Sequence, residues 1–241
     1  MSTDNGNPRL AVLIDADKAS ARIIEPLIEE VSKLGTASIK RIYRDWTQPN
    51  LGAWKDVLQQ HAIQPIQQFR NTVGKNATDS AMIIDAMDLL YAAPLDDFCI
   101  ISSDSDFTRL ATRIRESGKI AYGFDEKKTP DSFIKSCDRF IYTEIFIDPA
   151  NSENSTSKLP TNKLRQDEKL MGLFRSATEL VADDEGWAHL GGIGSNIQKN
   201  MKQFEPRNYG YSKLAELAIS TDLFETKKQN NHLLLKIKDK K

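Results

Sequence analysis

Cysteine is nearly absent: Cys99 and Cys137 are the only two in 241 residues. Two such thiols supply neither a disulfide framework nor a cysteine-based zinc site. Histidine is almost as scarce, and His61, His189 and His232 are scattered without metal-ligand spacing. All three read as structural or solvent-facing. No apolar run approaches the roughly 18 to 20 residues that a membrane helix needs. The opening Met1–Pro8 stretch has neither a basic segment nor an apolar one, so no signal peptide is expected. The expectation is a cytoplasmic protein with no membrane partner. Net charge is only −1, which neither invites nor excludes a polyanion. Its distribution is uneven, with an acidic surplus over residues 1–150 and a basic surplus over 151–241. That asymmetry fits a cation site coupled to a polyanion-binding appendage.

What the chain does have is a βα rhythm. Aliphatic and β-branched runs at 9–14, 38–43, 63–68, 97–102, 119–123 and 139–142 predict strands. Helical periodicity falls between them at about 19–34, 51–61, 77–91, 105–117 and 130–137. Strands separated by single helices predict right-handed crossovers and a mainly parallel sheet covered on both faces. Residues 149–162 are polar, small and punctuated by Pro149 and Pro160, and they read as a linker. Beyond it, Leu170, Leu173, Phe174, Ala177, Leu180 and Val181 mark one face of an amphipathic helix. A second helical stretch follows from Trp187 to Met201, a third from Lys213 to Ser220, and a strand from His232 closes the unit. This part predicts a small winged-helix-sized domain.

Acid stands where parallel strands end. The run Leu10–Ile14 leads into Asp15-Ala16-Asp17, and Phe98–Ile101 leads into Ser102-Ser103-Asp104-Ser105-Asp106. A third acid, Asp79, opens the predicted helix after Gly74-Lys75-Asn76, and Asp85 follows it six residues later. Crowded carboxylates raise one another's pKa or recruit a cation. Hydrolysis of a phosphodiester with Mg²⁺ or Mn²⁺ needs such a convergence, because the ion prefers hard oxygen ligands and keeps waters for the chemistry. The plainer alternative stays open for each acid alone. Asp79 suits a helix N-terminus, Asp104 suits a cap for the helix after it, and Asp17 suits a cap more than a ligand.

These three segments resemble the motifs of the NYN domain, a family placed with the PIN-like ribonucleases near the LabA-like branch. The resemblance implies a PIN-like three-layer α/β/α fold over residues 8–148, with a linker at 149–165. It further implies a metal-dependent ribonuclease whose acidic site is Asp15, Asp79, Asp104 and Asp106, with Asp85 as a helper and Mg²⁺ or Mn²⁺ as cofactor. One position departs from the pattern: Lys18 stands where the family usually has asparagine. A lysine there can neutralise the cluster, contact phosphate or weaken metal binding. The second expectation is therefore a catalytically weak RNA-binding adaptor on a degenerate NYN domain. A haloacid-dehalogenase-like phosphatase, suggested by Asp15-Ala16-Asp17, fits less well because Ala19 replaces the Thr or Val that superfamily wants.

Residues 166–241 resemble the OST-HTH, or LOTUS, domain through Gly186-Trp187-Ala188-His189-Leu190-Gly191-Gly192 and Arg207-Asn208-Tyr209-Gly210-Tyr211-Ser212-Lys213. That resemblance implies RNA binding, to single-stranded or G-rich RNA. Lys199, Lys202, Arg207 and Lys213 are candidates to meet phosphates, and Tyr209 to stack on a base. On the first part, Lys18, Arg44, Trp46, Arg70 and Lys75 follow strand ends and are candidates to guide the strand of RNA. Self-association into a homo-oligomer is a further partner expectation.

Overall fold

The computed structural model describes residues 7–47, 52–69, 77–147, 158–230 and 232–238. The chain divides into two compact units, Met1–Ile147 and Asp148–Lys241.

The first unit is built on six parallel strands: β1 (Arg9–Asp15), β2 (Thr36–Arg44), β3 (Gln64–Gln67), β4 (Asp97–Ile101), β5 (Ile120–Asp125) and β6 (Arg139–Tyr142). Their order in the sheet is β3-β2-β1-β4-β5-β6. Between them run α1 (Ile24–Ser32), α2 (Gly52–Gln60), α3 (Ala77–Ala92), α4 (Thr108–Glu116) and α5 (Asp131–Ser136), and α6 (Glu144–Ile147) closes the unit. Side chains of successive strand residues point to opposite faces, and here both faces are apolar. Ala11, Leu13, Phe98 and Ile100 enter one core with Met82, Ala86, Phe107, Leu110 and Ile114. Leu10, Val12, Ile14, Cys99 and Ile101 enter the other with Ile24, Leu27, Val31 and Trp54. The sheet is thus covered on both sides, as the continuous apolar runs predict. Both cysteines are buried and unbridged.

The second unit contains α7 (Thr161–Gln166), α8 (Glu168–Glu179), β7 (Trp187–His189), α9 (Leu190–Asn200), α10 (Leu214–Ser220), β8 (Phe224–Gln229) and β9 (His232–Ile237). The three strands form an antiparallel sheet in the order β7-β9-β8. Phe174 anchors the core and meets Phe204 and Phe224 edge-on at ring separations of 6.2 and 5.7 Å. Gly210 adopts φ +80° between Tyr209 and Tyr211, a left-handed turn that favours glycine.

Two expectations change. Helix α7 begins inside the stretch 149–165 read as linker and ends at Gln166, and its Leu164 is buried in the second core. Trp187 begins a strand instead of the second helix, which starts at Leu190. The Trp187 N–H donates to Asp183 Oδ1 at 2.8 Å, and its strand pairs with β9. Among the described residues no helix is long and apolar enough to cross a membrane.

Candidate active site

Strand order reverses between β1 and β4, so the crossovers leave them in opposite directions and open a crevice beyond their carboxyl ends. Asp15 and Asp104 stand on its two sides. Asp15 is the last residue of β1 and fully buried. Its Oδ1 accepts the Asp17 N–H at 2.9 Å and its Oδ2 accepts the Ser102 hydroxyl at 2.9 Å. Burial raises its pKa, and those two bonds pull it partly back. Ser102 Oγ in turn accepts the Asp104 N–H at 3.1 Å. One hydroxyl therefore ties the ends of both strands together.

Asp104 Oδ1 accepts the Asp106 N–H at 3.0 Å and caps the short turn Ser105–Phe107 ahead of α4. The capping role is real, and it leaves Oδ2 facing Lys18 Nζ at 3.6 Å. Asp79, in the first turn of α3, is half-buried. Its carboxyl is pushed up to about 6 by burial first, then by the charges of Asp15, Asp104 and Asp106, against the opposing charge of Lys18. Four carboxylates from three separate segments thus share one electrostatic neighbourhood with one ammonium.

Asp85 is used differently. Its Oδ1 accepts from Arg41 Nη1 and its Oδ2 from Tyr43 OH, both on β2. Burial and the Asp85 carboxylate push the Tyr43 phenol far up, so it stays a donor. With both oxygens engaged, Asp85 locks α3 to the sheet and corrects its assignment as a helper at the metal.

Asp125 ends a third strand of the same sheet in acid, outside the motifs. It ends β5, is only 4% exposed, and holds the Glu126 N–H on Oδ1 at 2.6 Å. Its Oδ2 is buried without a hydrogen-bond partner. Burial is the main cause that pushes this carboxyl up to about 7, and Asp15 is among the charges acting on it. The signal was present: acid after the apolar strand Ile120–Phe124 repeats the pattern of Asp15.

The donor set suits a hard cation in kind, since every member offers carboxylate oxygen. It is not closed around one. Among the described residues no three His, Cys, Asp or Glu side chains stand close enough to hold an ion together. Lys18 supplies positive charge beside Asp104 instead.

The candidate RNA contacts sort into several kinds. Arg44 Nε lies 3.8 Å from Asp17 Oδ1 at the end of β2. Trp46 is fixed in place, its indole N–H donating to Ile66 O at 3.0 Å and its ring edge-on to Trp54. Arg70 and Lys75 lie outside the described residues. In the second unit Lys199 and Lys213 are exposed, while Lys202 is half-buried. Arg207 pairs with Glu205 at 3.2 Å, and Tyr209 packs on Phe204 with burial raising its phenol to about 12. Trp187, which reads from sequence as a core residue, is partly open to solvent on the sheet, with Lys227 Nζ 4.5 Å above its ring. His189 and His232, both exposed, stand ring to ring at 5.5 Å on the same sheet.

Comparison with known proteins agrees with this architecture. The family model described as NYN domain matches residues 9–157, and that of the OST-HTH/LOTUS domain matches 165–234. No curated protein matches the chain. A crystal structure of a protein of unknown function from Vibrio parahaemolyticus is similar at 15% identity, covering 59% of this chain and 96% of that one with a TM-score of 0.48.

Proposed function

Because the chain belongs to the NYN-domain family and carries an OST-HTH/LOTUS domain behind it, we propose that it is a metal-dependent ribonuclease whose second domain holds RNA. The observation that carries this reading is the Asp79 carboxyl, pushed up to about 6 by burial first and then by the charges of Asp15, Asp104 and Asp106. Unbalanced carboxylates at the mouth of a parallel sheet are costly unless a cation joins them.

Asp15, Asp79, Asp104 and Asp106 would hold Mg²⁺ or Mn²⁺. The ion would supply an activated water and offset charge on the phosphate. The chain's own work is positioning. Ser102 fixes the Asp15 carboxylate, and the Asp106 N–H fixes that of Asp104. Asp125 Oδ2, buried and unpartnered beyond β5, is an atom that can hold a proton near neutral pH. Arg44, at the end of β2, would meet a phosphate, and the fixed Trp46 would form part of the rim. In the second domain Lys199, Lys202 and Lys213 would contact phosphates, and Trp187 would offer a ring to a base. The cytoplasm is the expected compartment.

The test is cleavage of single-stranded, structured and G-rich RNA in Mn²⁺ or Mg²⁺, with Asp104→Asn as the control and a gel shift run alongside. Loss of cleavage with binding retained is expected. Trp187→Ala should weaken binding by about tenfold, within the range of one lost base–aromatic stack. The adaptor reading rests on the Lys18–Asp104 pair. Binding without turnover at any concentration of either ion would favour it over the nuclease.

A further inference from the structure

Asp15, Tyr43 and Ile66 stand level where β1, β2 and β3 end, across about 10 Å of sheet. Arg44 and Gln67 lie one residue further along, and the Gln68 N–H extends the ladder to Arg44 O at 3.1 Å. Phe69 comes next, two residues beyond the end of β3, and is 59% exposed. The backbone that carries it is fixed. Asp45 is buried, and its Oδ1 accepts the Thr47 N–H at 3.2 Å, the Thr47 hydroxyl at 2.6 Å and the Gln67 amide at 3.0 Å. Gln67 Oε1 in turn accepts the Trp46 N–H at 2.9 Å. These bonds stitch the turn after β2 to the strand that leads into Phe69. The two aromatic rings on this rim differ in use. Trp46 gives its indole N–H to Ile66 O and packs edge-on against Trp54, whereas the Phe69 ring is open to water. Arg44 stands between that ring and the acid of β1. It is held loosely, since its Nε has no hydrogen-bond partner and lies 3.8 Å from Asp17 Oδ1.

We propose that Phe69 is a stacking site for an unpaired RNA base and selects single-stranded over duplex RNA. Across the ends of β1, β2 and β3 the side chains run acid, cation, open ring. A single strand crossing those three ends sets a phosphate at Arg44 and lays a base on Phe69, because phosphate seeks positive charge and a base seeks an apolar face. In a duplex each base is already stacked and paired, so its face is closed to the ring. The inference rests on the RNA-binding part of the reading above and names the substrate class. It asks nothing of a metal ion.

The experiment measures binding of the full chain to an unstructured oligouridine and to an RNA duplex of the same length, by fluorescence anisotropy in EDTA at fixed salt. Phe69→Ala and Phe69→Trp are compared with the parent, each also in a Trp187→Ala background that weakens the contribution of the second domain. Phe69→Ala should bind the single strand about tenfold more weakly, the loss of one base–aromatic stack, and bind the duplex as the parent does. Phe69→Trp should restore the single-strand affinity, since a larger ring still stacks. The Tm of each variant should match the parent, because the side chain is exposed. Unchanged single-strand binding by Phe69→Ala, or equal losses for single strand and duplex, would overturn this inference while RNA cleavage by the parent keeps the nuclease reading. Unchanged RNA binding with an altered sedimentation coefficient would also overturn it and assign the ring to contact between copies of the chain. A Phe69 effect in a chain that cleaves no RNA in Mn²⁺ or Mg²⁺ would uphold it and sink the nuclease reading instead.

Discussion

Aspartates crowd both ends of the six-stranded sheet, under different conditions. Where the strands begin, Asp96 accepts the Arg9 N–H at 2.7 Å and Asp97 accepts the Ile120 N–H at 2.9 Å. Asp138 accepts both the Ala121 N–H and Arg115 Nε, each at 3.0 Å. These acids close backbone donors at strand starts that would otherwise lack partners. Where the strands end, Asp125 keeps a buried oxygen without a partner, Asp79 faces three other carboxylates, and Asp104 shares a loose pair with Lys18. One end satisfies its acids from within the chain. The other gathers carboxylates whose charge is made costly by burial and by neighbouring acids.

The most severe test of that contrast is Asp104→Asn. If the carboxyl end is a metal site, this change should lower RNA cleavage about a thousandfold, the scale of several kcal/mol of lost transition-state stabilisation. Asparagine can still accept the Asp106 N–H and keep the cap, so Tm should hardly move. Equal changes in cleavage and Tm would mean that Asp104 is only a cap, and the two ends would no longer differ.

Much of this contrast was legible in the sequence, because short apolar runs ending in acid mark both the strands and their carboxyl ends. Asp15 and Asp104 came from that pattern, which β1, β4 and β5 follow, and Asp79 came from its place at the opening of a helix. What was lost has physical reasons. Strand β8, Phe224–Gln229, is exposed at five of its six positions and offers no apolar run. Strand β7 spans only three residues and runs directly into α9. The bond from Tyr43 to Asp85 crosses 42 residues, a distance over which periodicity carries no information. Asp125 obeyed the rule but stood outside the recognised motifs, so its role emerges only from its buried oxygen.

That oxygen gives the next prediction. The Asp125 carboxyl sits at about 7 when folded, above its ordinary 3.8, so the folded chain retains a proton that the unfolded chain releases. The stability tied to that proton is fully present below about pH 4 and is lost as pH rises to about 7. Asp125→Asn removes this slope. With EDTA present, its stability relative to the parent should improve between pH 4 and 7.5, by a few kcal/mol at most. A difference in Tm that stays flat with pH would place Asp125 among the satisfied acids.

Helix α3 repeats the contrast at smaller scale, with Asp79 in the crevice and Asp85 bound to Arg41 and Tyr43. Asp85→Asn should destabilise the fold by about 1–3 kcal/mol, discounted for the partial exposure of the pair. Asp79→Asn should leave stability equal or higher near neutral pH, because it removes a repelled charge. Urea midpoints measure both. Destabilisation by both substitutions would make Asp79 a second lock and remove it from the site.

The smallest effect belongs to Asp138, and it defines the satisfied end. Arg115 is exposed enough for water to replace its bond, whereas Ala121 is buried and its N–H would lose its only side-chain acceptor. Asp138→Ala should therefore cost about 1–2 kcal/mol, nearly all of it from that one donor. Asp138→Asn keeps an oxygen for Ala121 and should cost less than half as much. Neither should alter cleavage per folded molecule, since this acid lies at the end of the sheet remote from the crevice. The pair of substitutions separates hydrogen bonding from charge. If asparagine proves as costly as alanine, the charge on Asp138 is what matters, and the two ends differ in the source of their counter-charge instead of in whether they are satisfied.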